Sequence, residues 1–274
     1  MSDKATGFFK HLLYIISCII IMFPLYFIIV SAFKTKKEYT LNKFLIPSLP
    51  TIKNFITALR GHTFFLWMAN TILLTVFSVF ICLIIASFAA YAFSKMRFYG
   101  RDTILNLLIS LMIVPPIVLV IPLYYMMNKI NFTDNYISVI LIYVALLLPF
   151  SIFLLTSFFI TIPNELMEAA SIDGCSGIAI LFRIILPLSK PPIITLIVVN
   201  SLWVWSELLI ALIFLQSDKM KTAMVGITIF QGRYLTNVPV IMAAMVMATI
   251  PMLVLYLFGQ RYFISGITAG ALKG

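Results

Sequence analysis

Six long apolar stretches, separated by polar segments, dominate the pattern along the chain. Within each stretch the apolar residues are continuous, without the alternation of polar and apolar positions that is typical of membrane β-barrels. Because a helix needs roughly 20 apolar residues to cross a bilayer core, the pattern predicts an all-α, polytopic membrane protein with about six transmembrane helices. We expect one domain across residues 1–274. The predicted spans are residues 12–33, 66–93, 103–127, 136–160, 192–215 and 239–258.

The first apolar stretch resembles a signal peptide, because Lys4 and Lys10 precede it. It ends without a small-residue cleavage site and is long enough to span a bilayer, so we expect a retained first helix. Prolines interrupt several stretches, among them Pro115 and Pro116. Membrane helices tolerate such prolines, and we interpret them as kinks. A gating hinge at Pro115–Pro116 is a second interpretation.

The composition supports a membrane environment. The chain of 274 residues is 62% hydrophobic and 10% charged, whereas a soluble domain carries roughly 25% charged residues. The net charge of +10 lies in the segments between the apolar stretches. This favours anionic lipid headgroups over nucleic acid as its partner. The chain contains no GxxxxGKS/T phosphate loop and no HExxH or GxSxG motif. We therefore expect no enzyme, no metal site and no cofactor bound by this chain.

The basic residues do not orient the predicted spans. With both termini in the cytoplasm, nine of the 19 basic residues lie inside and ten outside. The short segment 94–102, with three basic residues, favours this orientation under the positive-inside rule. Lys34, Lys36 and Lys37 beside the first span oppose it.

Residues 161–191, between the fourth and fifth predicted spans, carry the most specific pattern. Glu165 and Glu168 suit the first turns of a helix, Gly174 allows a turn, and Ser176 suits the N-cap of a second helix. Pro163 suits the first position of the first helix. The segment thus predicts a helix–turn–helix outside the bilayer.

The surface of this predicted helix–turn–helix suits a partner protein. Ala169 and Ala170 are small, so a partner backbone can come close, and the carboxylates offer ionic partners. An apolar stripe follows in the second helix, which we expect Pro187 to end. Such a surface is typical of a helix that docks into a groove.

The same segment resembles the EAA loop of ABC importer permeases, most closely in the carbohydrate-uptake branch. In that branch the loop reads close to ELxEAAxxDGAsxxxxFxxIxLPlxxP. The sequence departs from it at Cys175, where alanine is usual. The matching residues include Glu168, Ala169, Ala170, Asp173, Gly174, Phe182, Ile185, Leu186, Pro187 and Pro191.

The resemblance extends over nearly the whole chain. The fifth predicted span resembles a W-x-W-N-E-F-L-x-A-L stretch of that branch, with Ser206 in place of asparagine and Leu208 in place of phenylalanine. Residues 260–274 resemble the C-terminus of the maltose-type second permease subunit. The residues that match in the fifth span are Trp203, Trp205, Glu207, Leu209, Ala211 and Leu212.

The resemblance implies a type I ABC importer permease fold whose EAA loop is a cytoplasmic coupling helix. It implies the plasma membrane of a bacterium or archaeon, both termini and the tail 259–274 in the cytoplasm, and the segments 34–65 and 216–238 outside. The implied partners are a second homologous permease subunit, a dimer of ATPase subunits that binds ATP, and an extracytoplasmic solute-binding protein. The implied ATPase-coupling residues are Glu165, Glu168, Ala169, Ala170, Asp173, Gly174, Leu186 and Pro187.

The implied function is ATP-driven, binding-protein-dependent import of a sugar or oligosaccharide by alternating access. Ionisable residues within spans are candidates for function, although pairing within the bundle or a wet interface also explains a glutamate. Interhelical hydrogen bonds explain asparagines, and an interfacial aromatic belt explains tryptophans. The candidate pathway or solute residues are Glu207, Ser206, Asn200, Trp203 and Trp205.

Two rival functions remain open. An ABC permease for another solute class, such as amino acids, phosphate or metals, disagrees with the form of the loop and tail. A self-sufficient secondary transporter needs intramembrane charges as coupling sites, for which Glu207 is the candidate, and leaves the EAA loop without a purpose.

Overall fold

The computed structural model describes residues 2–60, 63–233 and 237–271, and it gives side chains for residues 10–60, 63–228 and 237–260. The end of the predicted tail, residues 272–274, lies outside the described residues. The described chain is helical and contains no strand, which confirms the predicted all-α class. Its α-helices are α1 Ser2–Ala32, α2 Lys36–Leu41, α3 Lys53–Leu59, α4 Thr63–Lys95, α5 Arg101–Ser110, α6 Pro116–Lys129, α7 Tyr136–Phe159, α8 Glu165–Ile172, α9 Gly177–Ile180, α10 Leu186–Leu188, α11 Lys190–Ser206, α12 Leu209–Phe214, α13 Ala223–Arg233 and α14 Val238–Ala271.

Four described helices are long and apolar enough to cross a membrane by themselves. Two further pairs of helices pass the same test but are sharply bent, so the number of candidate spans is four, or six if each bent pair is one span. The single helices are Lys10–Ala32, Thr63–Lys95, Tyr136–Phe159 and Val238–Gln260. The bent pairs are Arg101–Ile113 with Pro116–Lys129, at 101°, and Gly177–Leu188 with Lys190–Ser206, at 79°.

Residues 103–127 form two helices rather than the one kinked helix that the sequence predicts, because the chain breaks in their middle. After α5 and a 3₁₀ turn at Leu111–Ile113, Val114 (ψ 116°) and Pro115 (ψ 131°) are both extended. Each of them precedes a proline, whose ring disfavours the helical conformation of the residue before it. Pro116 then begins α6 at the first helical position.

The predicted span 192–215 is also divided. Helix α11 begins at Lys190 and ends at Ser206, Glu207 is extended, and α12 follows from Leu209. By contrast, α14 continues from the predicted sixth span through Ala271, so residues 259–271 are helical.

The chain divides into two compact units, Met1–Leu66 with Val225–Ile250 and Trp67–Met224 with Pro251–Gly274. In the first unit, a group of hydrogen bonds made by two buried polar side chains follows α1. The Nζ atom of Lys34 donates to the carbonyls of Asn42 (2.8 Å) and Lys43 (2.9 Å). The Nδ2 atom of Asn54 donates to the carbonyls of Ala32 and Lys34, both at 2.7 Å. Burial lowers the pKa of Lys34, and the Glu38 carboxylate opposes this shift.

We expect Asn54→Ala to loosen the segment that follows α1. The substitution leaves two buried carbonyls without their donor, at a total cost of about 2–6 kcal/mol. Limited trypsin digestion measures the effect, because Lys36 and Lys37 are exposed in this segment. Thr57→Ala is the control, since the Thr57 hydroxyl bonds only within its own helix, to the Lys53 carbonyl. Equal cleavage of the two variants contradicts the expectation.

In the second unit α11 packs against α7, and α12 packs against α6 and α7. Helix α14 approaches α11 closely at Gly259, where an added Cβ would lie 2.5 Å from Cγ2 of Val198. Small residues permit such close helix contacts in membranes.

We expect Gly259→Ala to destabilise the second unit by about 1–3 kcal/mol, the usual cost of overpacking. Thermal unfolding of the detergent-solubilised protein measures this loss. Removal of the opposing methyl groups in a Gly259→Ala/Val198→Ala double variant should restore part of the stability. A double variant that is less stable than either single variant contradicts the proposed contact.

Candidate functional site

Helix α8 and the turn that follows it expose five of the eight predicted coupling residues to solvent. Glu165, Glu168 and Ala169 on this helix are exposed. Both glutamates lie in its first turn, where their charge complements the positive end of the helix dipole. Ala170, in contrast, is buried, with 7% of its surface exposed. The helix thus has an acidic outer face and one small residue that packs inward.

A Schellman turn ends α8 in the predicted position. The amide of Gly174 donates to the Ser171 carbonyl, and the amide of Cys175 donates to the Ala170 carbonyl. Gly174 has a φ of +82°, a conformation that favours glycine. Asp173 is exposed beside it. Ser176 then caps α9 through a hydrogen bond from the Ala179 amide to its hydroxyl (3.3 Å), as predicted.

Pro163 and Pro187 differ from their predicted roles. Pro163 precedes the N-cap residue Asn164, so it lies outside α8. Pro187 lies inside the second helix, which is continuous from Gly177 and ends one residue later, at Leu188. A π-helical turn at Leu181–Ile185 comes shortly before this proline. The wider turn makes room for the proline ring, which otherwise clashes with the carbonyl four residues earlier.

An apolar cluster anchors this helix pair to the ends of α4 and α7. Ala170, Ile180 and Leu181 are buried in it together with Ala90 of α4 and Phe159 of α7. Leu186 packs against the same cluster and is half-buried. Ala170 and Leu186 therefore hold the segment in place from within.

Lys95, which the sequence pattern did not single out, joins the end of α4 to the beginning of α8. Its Nζ atom donates to the Ile162 carbonyl (2.5 Å) and to Oδ1 of Asn164 (3.0 Å). The sequence contains one signal for Lys95, namely its position at the end of an apolar stretch, in the basic segment 94–102. The partner residues are 67 and 69 positions away in sequence.

Glu207, the intramembrane candidate, is held between two helices. Its Oε1 accepts from the Ile210 amide (2.8 Å), and its Oε2 accepts from the Ala211 amide (3.1 Å) and from Oη of Tyr143 (2.8 Å). The Tyr143 ring contacts Trp203 edge to face, with ring centroids 5.7 Å apart. Both carboxylate oxygens therefore have protein donors, and the side chain caps α12.

Asn200 joins α11 to α7 in the core. Its Nδ2 atom donates to the Ser151 hydroxyl (2.9 Å), which also interacts with Cys82 of α4 (3.3 Å). Asn200 and Trp203 also line an apolar cavity of about 610 Å³ beside the break at Pro116. These two candidates thus share one cavity.

The remaining two candidates lie elsewhere. The hydroxyl of Ser206 is exposed and bonds to the Leu202 and Trp203 carbonyls of its own helix. Trp205 is buried and lines a different apolar cavity, of about 470 Å³, which α4, α11 and α14 enclose. Among the described side chains, no three His, Cys, Asp or Glu residues are grouped so as to hold a metal ion.

A family model of the binding-protein-dependent transport system inner membrane component matches residues 82–265, which include α8, its turn, Asn200 and Glu207. This chain belongs to that family. The predicted family is thereby confirmed, and the permease is a membrane-spanning component of an inner-membrane transport system.

Two relatives match this permease over most of their length. It is 43% identical over 252 residues to a protein of Caldicellulosiruptor sp. that is described as an ABC transporter permease, covering 92% of this chain and 91% of the relative. It is 36% identical over 264 residues to the trehalose/maltose transport system permease protein MalG of Thermococcus litoralis, covering 95% and 94%.

A solved structure shares the fold of this permease. It is a chain of a bacterial ABC transporter involved in the import of the acidic polysaccharide alginate, with a TM-score of 0.85 and 26% sequence identity. The match covers 96% of the permease and 98% of that chain. The predicted ABC importer permease fold is therefore confirmed.

Proposed function

We propose that this chain is the permease subunit of an ATP-driven, binding-protein-dependent ABC importer for a sugar or oligosaccharide. It forms half of the translocation pathway, opposite a second homologous permease subunit. The observation that carries the proposal is the exposed acidic helix α8, ended by a glycine turn and anchored to the ends of α4 and α7. The trehalose/maltose and alginate systems of its relatives favour a carbohydrate as solute.

The exposed face of α8 serves as the coupling surface. Glu165, Glu168, Ala169, Asp173 and Gly174 are placed to contact an ATPase subunit, because all five are exposed on one short helix and its turn. Ala170 and Leu186 support this surface from the apolar cluster, and Pro187 follows the π turn beneath it. ATP binds on the ATPase dimer, and this chain has no catalytic role.

We infer an orientation from the position of α8. An ATPase that contacts α8 is cytoplasmic, so we propose that Lys95, at the same end of α4, lies in the cytoplasm, and that both chain termini lie on that side. The opposite end of α4 then faces outward. There Asn70 donates to the Lys219 and Lys221 carbonyls, at 2.8 and 2.9 Å, and fastens the segment that follows α12. This fastened segment is available to an extracytoplasmic solute-binding protein.

We propose that transport then proceeds by alternating access. ATP closes the ATPase dimer and displaces α8, and the anchored ends of α4 and α7 move with it. The cavity beside Asn200 and Trp203 is the place where we expect solute to pass this subunit. Trp203 offers a ring for stacking on a sugar. Asn200 lines the same cavity, but its amide nitrogen already donates to Ser151. The polar atoms of Ser206 bond within its own helix, and those of Glu207 bond to α12 and to Tyr143 of α7.

An uptake assay in cells tests the proposal. A host that lacks this chain is complemented with the wild-type gene and given labelled trehalose, maltose, melibiose, raffinose and arabinotriose in turn. We expect accumulation of at least one of them, lost when the binding protein is deleted. Accumulation of amino acids, phosphate or a metal ion in the same cells, without any of these sugars, contradicts the carbohydrate assignment.

A further inference from the structure

Lys95 occupies a junction between three elements. It is the last residue of α4, and its ammonium group reaches the connection between α7 and α8. There it donates to the carbonyl of Ile162, which is buried, and to the side chain of Asn164, the N-cap residue of α8. The hydrogen bond to Ile162 is part-buried. A backbone carbonyl withdrawn from solvent requires a donor, so this contact is costly to lose.

The side chain of Asn164 shows that this contact is specific. An asparagine at an N-cap normally accepts a hydrogen bond from an amide of its own helix. Asn164 makes no such capping bond, and its oxygen accepts from Lys95 instead. The next residue, Glu165, adds electrostatic attraction for the ammonium group. Two neighbouring residues at the beginning of α8 thus interact with one cation on α4.

Apolar contacts accompany this link. Phe88 of α4 meets Phe182 of the π turn edge to face, with ring centroids 5.9 Å apart, and the apolar cluster surrounds Ala170 of α8. Apolar contacts are non-directional, so packed helices can slide across them. Hydrogen bonds from a charged donor are short and directional, and those of Lys95 fix the beginning of α8 relative to the end of α4.

We propose that Lys95 is a positioning residue that ties the coupling helix α8 to the span α4, so that a displacement of α8 is carried into the membrane. The inference rests on the proposed function and deepens it. It assigns the transmission of force to a polar link, with the apolar cluster as its support.

The contribution of Lys95 to coupling is measured by transport assays on the purified complex in proteoliposomes. The readout is the amount of sugar imported per ATP hydrolysed, with the sugar of the panel above that gives the highest wild-type uptake. We expect Lys95→Met to lower this ratio by about fivefold or more, within the usual range of coupling between sites, while ATP hydrolysis continues. Lys95→Arg keeps a donor and should retain most of the ratio. Arg97→Met is the matched control, because it removes an exposed positive charge two residues away.

Asn164→Ala keeps the test decisive if Lys95→Met does not assemble. This variant removes one of the two acceptors, and we expect an intermediate ratio. In the double variant the ratio should equal that of Lys95→Met alone, because the two residues act as one link. Additive losses, or an unchanged ratio in both single variants, contradict the proposal.

A distance measurement separates a positioning role from a purely structural one. Spin labels are placed on cysteines introduced at Met96 and Ile172, which are both exposed, in a background in which Cys18 and Cys175 are serine. We expect the distance to be the same in the complex without nucleotide and with MgATP and vanadate, but to change between these states in Lys95→Met. A distance that stays constant in Lys95→Met contradicts the link. A wild-type complex that hydrolyses ATP but imports none of the sugars contradicts the proposed function instead.

Discussion

Replacing Glu207 with alanine is expected to remove nearly all uptake by destabilising the permease, without weakening the affinity of the remaining molecules for solute. The carboxylate accepts hydrogen bonds from Tyr143, Ile210 and Ala211. Its removal leaves a hydroxyl and two amides without an acceptor inside the bundle. Each unsatisfied group costs about 1–3 kcal/mol, so the sum is a large part of the stability of an ordinary domain.

The yield and thermal stability of the complex, together with the KM of residual uptake, measure this effect. Glu207→Gln keeps one carbonyl oxygen and should lose less stability than Glu207→Ala. Ser206→Ala is the neighbouring control, since its hydroxyl bonds only within its own helix. A stable Glu207→Ala complex with a strongly raised KM would falsify the capping role and return Glu207 to the solute pathway.

Replacing Gly174 with valine is expected to reduce uptake about tenfold while the complex still assembles. A Cβ at this position meets no atom within 4 Å, so the effect is conformational rather than a clash. A side chain at a φ of +82° costs about 1–2 kcal/mol. Because 1.4 kcal/mol is a factor of ten in an equilibrium constant, the native turn becomes about tenfold less populated relative to other conformations of this segment, and in those conformations α8 loses its position.

Uptake normalised to the amount of assembled complex measures the change in Gly174→Val. The matched control is Gly177→Ala in the same segment. Gly177 has no positive φ, and an added Cβ lies at an ordinary 3.8 Å from the Tyr91 hydroxyl. Equal uptake by the two variants contradicts a coupling role for the turn.

Features that depend on a few neighbouring residues can be predicted from the amino-acid sequence. Ser176 caps α9, and Gly174 takes the left-handed conformation that ends α8, because capping preferences are local. The second helix ends at Leu188, one residue beyond the predicted stop at Pro187, because a π turn, which depends on the packing of the whole helix, admits the proline. The break at Pro115 is sharper than the predicted kink, since two consecutive prolines restrict two consecutive preceding residues.

Features that depend on distant contacts cannot be predicted in the same way. Hydropathy placed Glu207 in a span, yet it contains no information on Tyr143, which lies 64 positions away. The same holds for Lys95 and its acceptors at Ile162 and Asn164. The EAA-like motif identified the family, whereas the contacts in the structure distinguish the residues that are exposed to a partner from those that stabilise the fold.

The hydrogen bonds of the Glu207 carboxylate also argue against one rival function, a self-sufficient secondary transporter. A secondary transporter needs an intramembrane group that is free to bind its coupling ion. Three protein donors already surround this carboxylate. This arrangement favours an energy source outside the chain, consistent with the ABC transporter permeases that it resembles.

Identifying the energy source that drives transport is therefore the most direct test of a permease coupled through α8. The proposed complex, with a second permease and an ATPase dimer, is reconstituted in proteoliposomes with the proposed binding protein outside. Sugar accumulation is measured with ATP, with a non-hydrolysable analogue, or with a proton gradient alone. We predict accumulation only with hydrolysable ATP, and its loss in Glu168→Arg although the complex remains assembled. Accumulation driven by the proton gradient without ATP, or full ATP-driven uptake by Glu168→Arg, contradicts a permease coupled through α8.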